Sequence, residues 1–347
     1  MKRQILALAP LLVMAACGDS HQPTRSASAS AESAVSAVRS SGVILENFDR
    51  SVRPQDDLYR FVNGAWLTRT EIPADKSNYG TFTALQDAVE KHLKSIVDAA
   101  AGAAAAPGSD EQLIGDFYAS FMDEARVEEL GAAPLSDELE VIDAIGNREE
   151  LVNYFGRAQQ LGLLNPVSAG IQPDAKNPDT YTLWVDQSGL AMPDRDYYLN
   201  DEDRFVEMRS KYRAYIEKLF EMAGRDDAEQ VAEHLLELET RLARAAWAKV
   251  DLRDVEKVYN PFDVAGANEI TPNLDWTQWM ASTGITGHDH LVVGQPSYFE
   301  ELSRALDDVP LSTWQDYLKL RLMDGFAPYL SDAYVQAHFD FHGRTIS

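Results

Sequence analysis

The chain holds a single cysteine, Cys17, among its 347 residues. That excludes a disulfide framework within the chain and any metal centre built from several thiolates. No H-E-x-x-H occurs, so the helical pair of zinc-binding histidines with its basic glutamate is not found in these residues. No G-x-S-x-G and no Gly-rich phosphate loop occurs either, which removes the serine-hydrolase elbow and the P-loop. Positive charge is scarce: 31 Lys and Arg stand against 56 Asp and Glu, for a net charge of −25. Such a surface repels phosphate backbones, so no nucleic-acid partner is expected. Carboxylate pairs are so common in a chain this acidic that they carry no signal for glycosidase chemistry. No apolar run reaches the length of about 20 residues that a bilayer-spanning helix needs.

What is present at the N-terminus is a processing signal. Lys2 and Arg3 precede an apolar run from Ile5 to Ala16, short for a membrane span but suited to a signal-peptide core. The run ends in Val13-Met14-Ala15-Ala16-Cys17, similar to a bacterial lipobox, in which cleavage precedes Cys17 and the cysteine is then acylated. The alternative is cleavage at an ordinary Ala-x-Ala site, leaving a free thiol. Two or more acyl chains give stable anchoring where one does not. Gly18 in place of Asp favours the outer membrane by sorting rules. Residues 17–42 are rich in Ser and Ala and bury too little apolar surface to offset their ordering entropy, so they read as a flexible tether. The expected location is the bacterial cell envelope, lipid-anchored on the periplasmic face of the outer membrane.

From residue 43 onward the composition is globular, and helical periodicity dominates. Phe82, Leu85, Val89, Leu93 and Ile96 recur at steps of three and four, as do Ile114, Phe117, Tyr118, Phe121, Met122 and Ala125. Phe205, Met208, Tyr212, Tyr215, Ile216 and Leu219 form a third stripe. A fourth helix is expected to start at Asp226 as N-cap and to bury Val231, Leu235, Leu238, Leu242 and Trp247. Trp314, Leu318, Leu322 and Phe326 mark another. All these stripes are read as core. Strand signals are few: 167–171 and 181–185 flank Pro-Asp-Ala-Lys-Asn-Pro-Asp, which suits the turn of a hairpin. The predicted class is mainly α, with a small β-hairpin.

Several short motifs then occur in a fixed order. Asp56, Asp57, Tyr59, Asn63, Gly64 and Trp66 spell D-D-x-Y-x-x-x-N-G-x-W, followed by Ile72-Pro73 and Tyr79-Gly80. Gly189, Leu190, Pro193, Arg195, Asp196, Tyr197 and Tyr198 spell G-L-x-x-P-x-R-D-Y-Y, and Arg253-Asp254, Tyr259-Asn260-Pro261 and Pro296-Ser297-Tyr298 come after. This text resembles the neprilysin and endothelin-converting-enzyme family of zinc metallopeptidases, across residues 49–347. The resemblance implies a multi-helical, chamber-forming lobe that admits peptides. It corresponds to the non-zinc part of such an enzyme, with zinc expected only in a catalytic half beyond these residues. The domain reading is therefore a signal peptide over 1–16, a tether over 17–42 and a peptidase N-terminal domain over 43–347, incomplete at its C-terminus. Where some animal members carry an arginine that holds the free C-terminal carboxylate of the peptide, this chain has Asn78, which can donate a hydrogen bond but not a bidentate charged one.

On physical grounds the motif residues read as structural. Asn63-Gly64 is expected to supply a bend, and Trp66 and Phe61 to act as apolar anchors. Asp194 is expected to cap a turn, and Arg195 and Asp196 to serve in structural ion pairs rather than catalysis.

Three sets of histidines have spacings that suggest metal ligands. His338 and His342 share a helix face, yet Phe339 stands where a general base would sit, and the sequence places no third ligand. His288-Asp289-His290 lies in a Gly-flanked loop, and His234 lacks the second histidine of the inverted motif, because position 238 is Leu. No metal or catalytic residue is expected among them. The functional expectation is the N-terminal domain of a zinc metalloendopeptidase, inactive alone, with peptides and a separate catalytic half as partners. The alternative is a non-catalytic lipoprotein that binds peptides or a partner protein.

Overall fold

The computed structural model describes residues 41–346, so the signal peptide, almost all of the tether and Cys17 lie outside the described residues. The described residues form fourteen α-helices and one four-stranded sheet, the expected mainly α class. None of these helices is long and apolar enough to cross a membrane. The chain divides into two units, one ending at Glu90 and one starting at Lys91.

In the first unit, helix α1 (Leu58–Arg69) is N-capped by Asp57, whose carboxylate accepts from the Arg60 amide at 2.9 Å. Asn63 and Gly64 lie inside this helix and make no bend, contrary to expectation. The glycine is needed for contact instead: a Cβ at Gly64 would lie 2.5 Å from Asp49 Cβ. The segment that passes there donates from the Asp49 amide to the Phe61 carbonyl at 2.9 Å, and Phe48 sets its ring edge-on to Phe61. Trp66 and Phe61 are half-buried anchors, as expected.

Helix α2 (Thr81–Ala101) begins in this unit. Its apolar stripe is real but is not core. Phe82 is 89% exposed, and Leu85, Val89, Leu93 and Ile96 are exposed with it. Period reports that a helix has one apolar face, not that anything covers it.

After the end of α2, the second unit continues with α3 (Asp110–Phe121) and α4 (Glu124–Leu130), each N-capped by the side chain of the residue before it. Phe117, Phe121 and Met122, read as core, are likewise exposed. Helices α5 (Ser136–Asp143) and α6 (Arg148–Gln160) follow, and from α6 onward the chain is densely buried. The predicted hairpin forms from β1 (Val167–Pro173) and β2 (Tyr181–Gln187), registered from Val167↔Gln187 to Pro173↔Tyr181. Asp174 closes the turn by accepting from the Lys176 and Asn177 amides at 2.8 and 2.9 Å. After α7 (Asp196–Leu199) come the long helices α8 (Asp203–Met222) and α9 (Ala228–Ala245).

The start of α9 is shifted from expectation. Asp227, not Asp226, is its N-cap residue, and the carboxylate of Asp227 is held instead by the Arg225 fork at 2.7 and 2.8 Å. Trp247 lies beyond the helix end and is only partly buried.

Two further strands make the hairpin into a sheet: β3 (Pro261–Asp263) and, after α10 (Val264–Ile270) and α11 (Trp276–Thr283), β4 (His290–Val293). The order is β1-β2-β4-β3, with β2 and β4 parallel and the other pairs antiparallel. Leu183, Val185, Leu291 and Val293 are buried against the helical core. Helices α12 (Pro296–Asp308), α13 (Leu311–Phe326) and α14 (Asp332–His338) complete the unit, and the chain then passes into a π-helical segment, Phe339–Ile346. The stripes on α8, α9 and α13 do form core. Leu219, Leu235, Leu242 and Trp314 are wholly buried, each contributing roughly 1.5–3 kcal/mol by removal from water.

Candidate functional site

The motif around 189–198 is a packing device. Gly189 has φ +88°, and a Cβ there would lie 2.4 Å from the Tyr317 hydroxyl. That hydroxyl donates to the Gly189 carbonyl at 2.9 Å. Next to it the Tyr298 hydroxyl is shared between the carbonyls of Pro166 (3.0 Å) and Ser188 (3.2 Å). Asp194 accepts from the Asp196 amide at 2.7 Å, capping the turn as expected, and pairs with Lys249 at 2.6 Å. Arg195 donates to the Ala246 carbonyl at 2.6 Å. The ion pair of this motif therefore belongs to Asp194, while Arg195 fastens the motif to the end of α9.

The motif also leads into a buried polar centre. Tyr198 and Tyr212 donate to the two oxygens of Glu239 at 2.6 and 2.7 Å, and Arg321 pairs with the same carboxylate. Glu239 and Arg321 are almost wholly buried. Burial, then the Glu239 charge, pushes the Tyr198 hydroxyl well above its ordinary range, so it stays a donor. Sequence reading missed both charged residues. The available signal was Glu239 beside Leu238 in the apolar stripe of α9.

Two concave or clustered features lie elsewhere in the second unit. An apolar groove of about 1070 Å³ is lined by Phe117, Phe121, Met122, Phe326, Tyr329 and Leu330, among others. Its size suits a few residues of peptide. Near the chain's end, His338 and His342 come together with Asp324 of α13. One ligand-type atom from each of the three lies within 4.8 Å of the others. His342 Nε2 is 2.8 Å from Asp324 Oδ1, which also accepts from the Tyr215 hydroxyl at 2.6 Å. Burial opposes the charge on Asp324, but the hydrogen bond and charge of His342 outweigh it and hold the carboxyl below its ordinary range. Burial, then His342, pushes the His338 imidazole down.

The remaining candidates are exposed side chains. Asn78 is exposed in the loop between α1 and α2, its amide 3.5 Å from the Ser77 hydroxyl. His290 is exposed and bonded to Asp289 at 2.7 Å, and His234 is exposed on α9.

The family profile of peptidase family M13, N-terminal domain, matches residues 54–347. The chain belongs to peptidase family M13. Among the relatives, endothelin-converting enzyme-like 1 of Rattus norvegicus is 28% identical, over 86% of this chain and 40% of that protein. The zinc metalloprotease ZMP1 of Mycobacterium tuberculosis, solved in complex with an inhibitor, overlays with a TM-score of 0.77 at 35% identity, covering 87% of this chain and 47% of that one. PEPO from Lactobacillus rhamnosis HN001 shares the fold, with a TM-score of 0.66 at 22% identity, covering 84% of this chain and 46% of that one. The chain spans less than half the length of these proteins. The motif residues are explained as structure: Gly64 by the approach of Asp49, Gly189 and Tyr298 by the Pro166–Ser188 turn, and Tyr198 by Glu239.

Proposed function

We propose that this chain is the chamber-forming, non-zinc lobe of an M13 metalloendopeptidase that degrades peptides in the bacterial envelope. The observation that carries the reading is the family match over 54–347, joined to the 35% identical overlay on a zinc metalloprotease. In this reading the lobe binds and gates peptides. The metal-activated water that attacks the peptide carbonyl belongs to an H-E-x-x-H half not found in these 347 residues. Cys17, acylated after cleavage of residues 1–16, would tether the lobe to the outer membrane. Asn78 would meet substrate with a neutral donor, which relaxes any demand for a free peptide carboxylate.

The test is a peptidase assay on the pure 347-residue chain with quenched fluorescent oligopeptides, with and without added zinc. No turnover above buffer is expected in either condition, while binding of the same peptides is retained. Cleavage that a chelator abolishes would sink the proposal.

A further inference from the structure

We propose that Asp324, His338 and His342 bind one divalent transition-metal ion of the zinc class, which pins the last described segment to α13. This site is separate from any H-E-x-x-H and does not depend on the peptidase reading.

The sequence offers two histidines four apart and no third ligand. The fold supplies the third from 14 residues upstream of His338, where α13 runs beside the chain's end. His338 is the last residue of α14, and His342 lies one turn on, where the winding has widened to π. Both imidazoles remain on one face, ring centroids 4.3 Å apart and planes tilted by 32°. Local π-windings of this kind are frequent at functional sites. A hydrogen-bonded His–Asp pair would account for His342 and Asp324 alone. It does not account for a second imidazole drawn up against the first.

Ligand atoms around a tetrahedral zinc lie about 3.3 Å apart, given bonds of about 2.0–2.1 Å. The observed spread, 2.8 Å between His342 Nε2 and Asp324 Oδ1 and none beyond 4.8 Å, brackets that value. Small side-chain rotations therefore complete the site.

The surroundings are built to hold these ligands still. Tyr215 donates to Asp324 at 2.6 Å, the outer hydrogen bond that orients a ligating carboxylate. The Tyr215 ring meets His342 edge-on at 5.6 Å. Phe341, between the two histidines in sequence, stacks on Tyr215 at 4.9 Å and on Tyr212 at 5.2 Å, anchoring the segment to α8. The three ligands are partly buried. Two imidazoles and one carboxylate suit zinc, cobalt, nickel or copper and disfavour magnesium and calcium, which prefer all-oxygen shells.

The experiment uses the untagged 347-residue chain, stripped with chelator and titrated with zinc by calorimetry, with cobalt as spectroscopic probe. One equivalent of zinc is expected, unaffected by millimolar magnesium or calcium, with a cobalt spectrum of nitrogen and oxygen ligation. H338Q and D324N should each weaken zinc binding by roughly tenfold or more. Y215F, which keeps all three ligands, should weaken it by roughly ten- to a hundredfold. H338Q alters a half-exposed residue, so it decides the matter if D324N fails to fold. Absence of a stoichiometric zinc site, or zinc affinity unchanged in H338Q, overturns the proposal. Peptide turnover does not enter the readout.

Discussion

Tyr317 donates its hydroxyl to the carbonyl of Gly189, and the same hydroxyl occupies the space a Cβ at residue 189 would need. The glycine is required twice, by its left-handed φ of +88° and by this contact. G189A should therefore cost about 2–3 kcal/mol, from about 1–2 for the backbone and about 1 for the displaced hydrogen bond. Gly224 has φ +80° with nothing within 4 Å of where a Cβ would stand, so G224A isolates the backbone cost alone. That cost is about 1–2 kcal/mol. Urea unfolding of both variants measures the difference. Equal losses at the two sites would refute the role of the contact.

Glu239 and Arg321 invite a different prediction. Their ion pair is buried, and two tyrosine hydroxyls share the carboxylate. Removing one partner of such a pair leaves a charge without compensation, at about 3–5 kcal/mol. R321M should lose that much stability in chemical denaturation. R321M combined with E239Q should lose less than R321M alone, because the new side-chain amide can still accept from Tyr198 or Tyr212 and carries no charge. A double variant less stable than R321M would show that packing, not charge burial, sets the cost.

The contrast between these buried residues and the exposed stripes shows which parts of the fold were legible. Phe205 to Leu219 and Phe82 to Ile96 have the same helical period, yet Leu219 is wholly buried and Phe82 almost wholly exposed. A period defines a face, and the identity of what covers it lies elsewhere in the chain or outside it. The hairpin was legible because two seven-residue strands flank a turn rich in Pro, Asn and Asp. Strands β3 and β4, of three and four residues, are too short to show alternation. The motif text was legible as family resemblance, but the reason for each residue was not. Gly64 looked like a bend and is a helix-to-loop contact. Asp324 carried no mark among 56 acidic residues, since its partnership with His342 depends on how α13 packs.

A last prediction concerns pH. Arg157 grips both oxygens of Glu138, at 2.7 and 2.6 Å. That hydrogen bonding outweighs burial and holds the Glu138 carboxyl below its ordinary value of 4.5. A carboxyl depressed by folding contributes stability that is fully present above its unfolded value and is lost as pH falls through the folded one. The window thus lies below pH 4.5. Because the Arg157 side chain is 48% exposed, solvent screens the pair, and its worth at neutral pH is no more than about 1 kcal/mol. E138Q should be less stable than the native chain at about pH 7 by up to that amount, and the gap should close on acidification. Thermal unfolding of both proteins at about pH 7, 5 and 3.5 reads it directly. A gap of constant size across that range would mean that Glu138 acts through shape rather than charge.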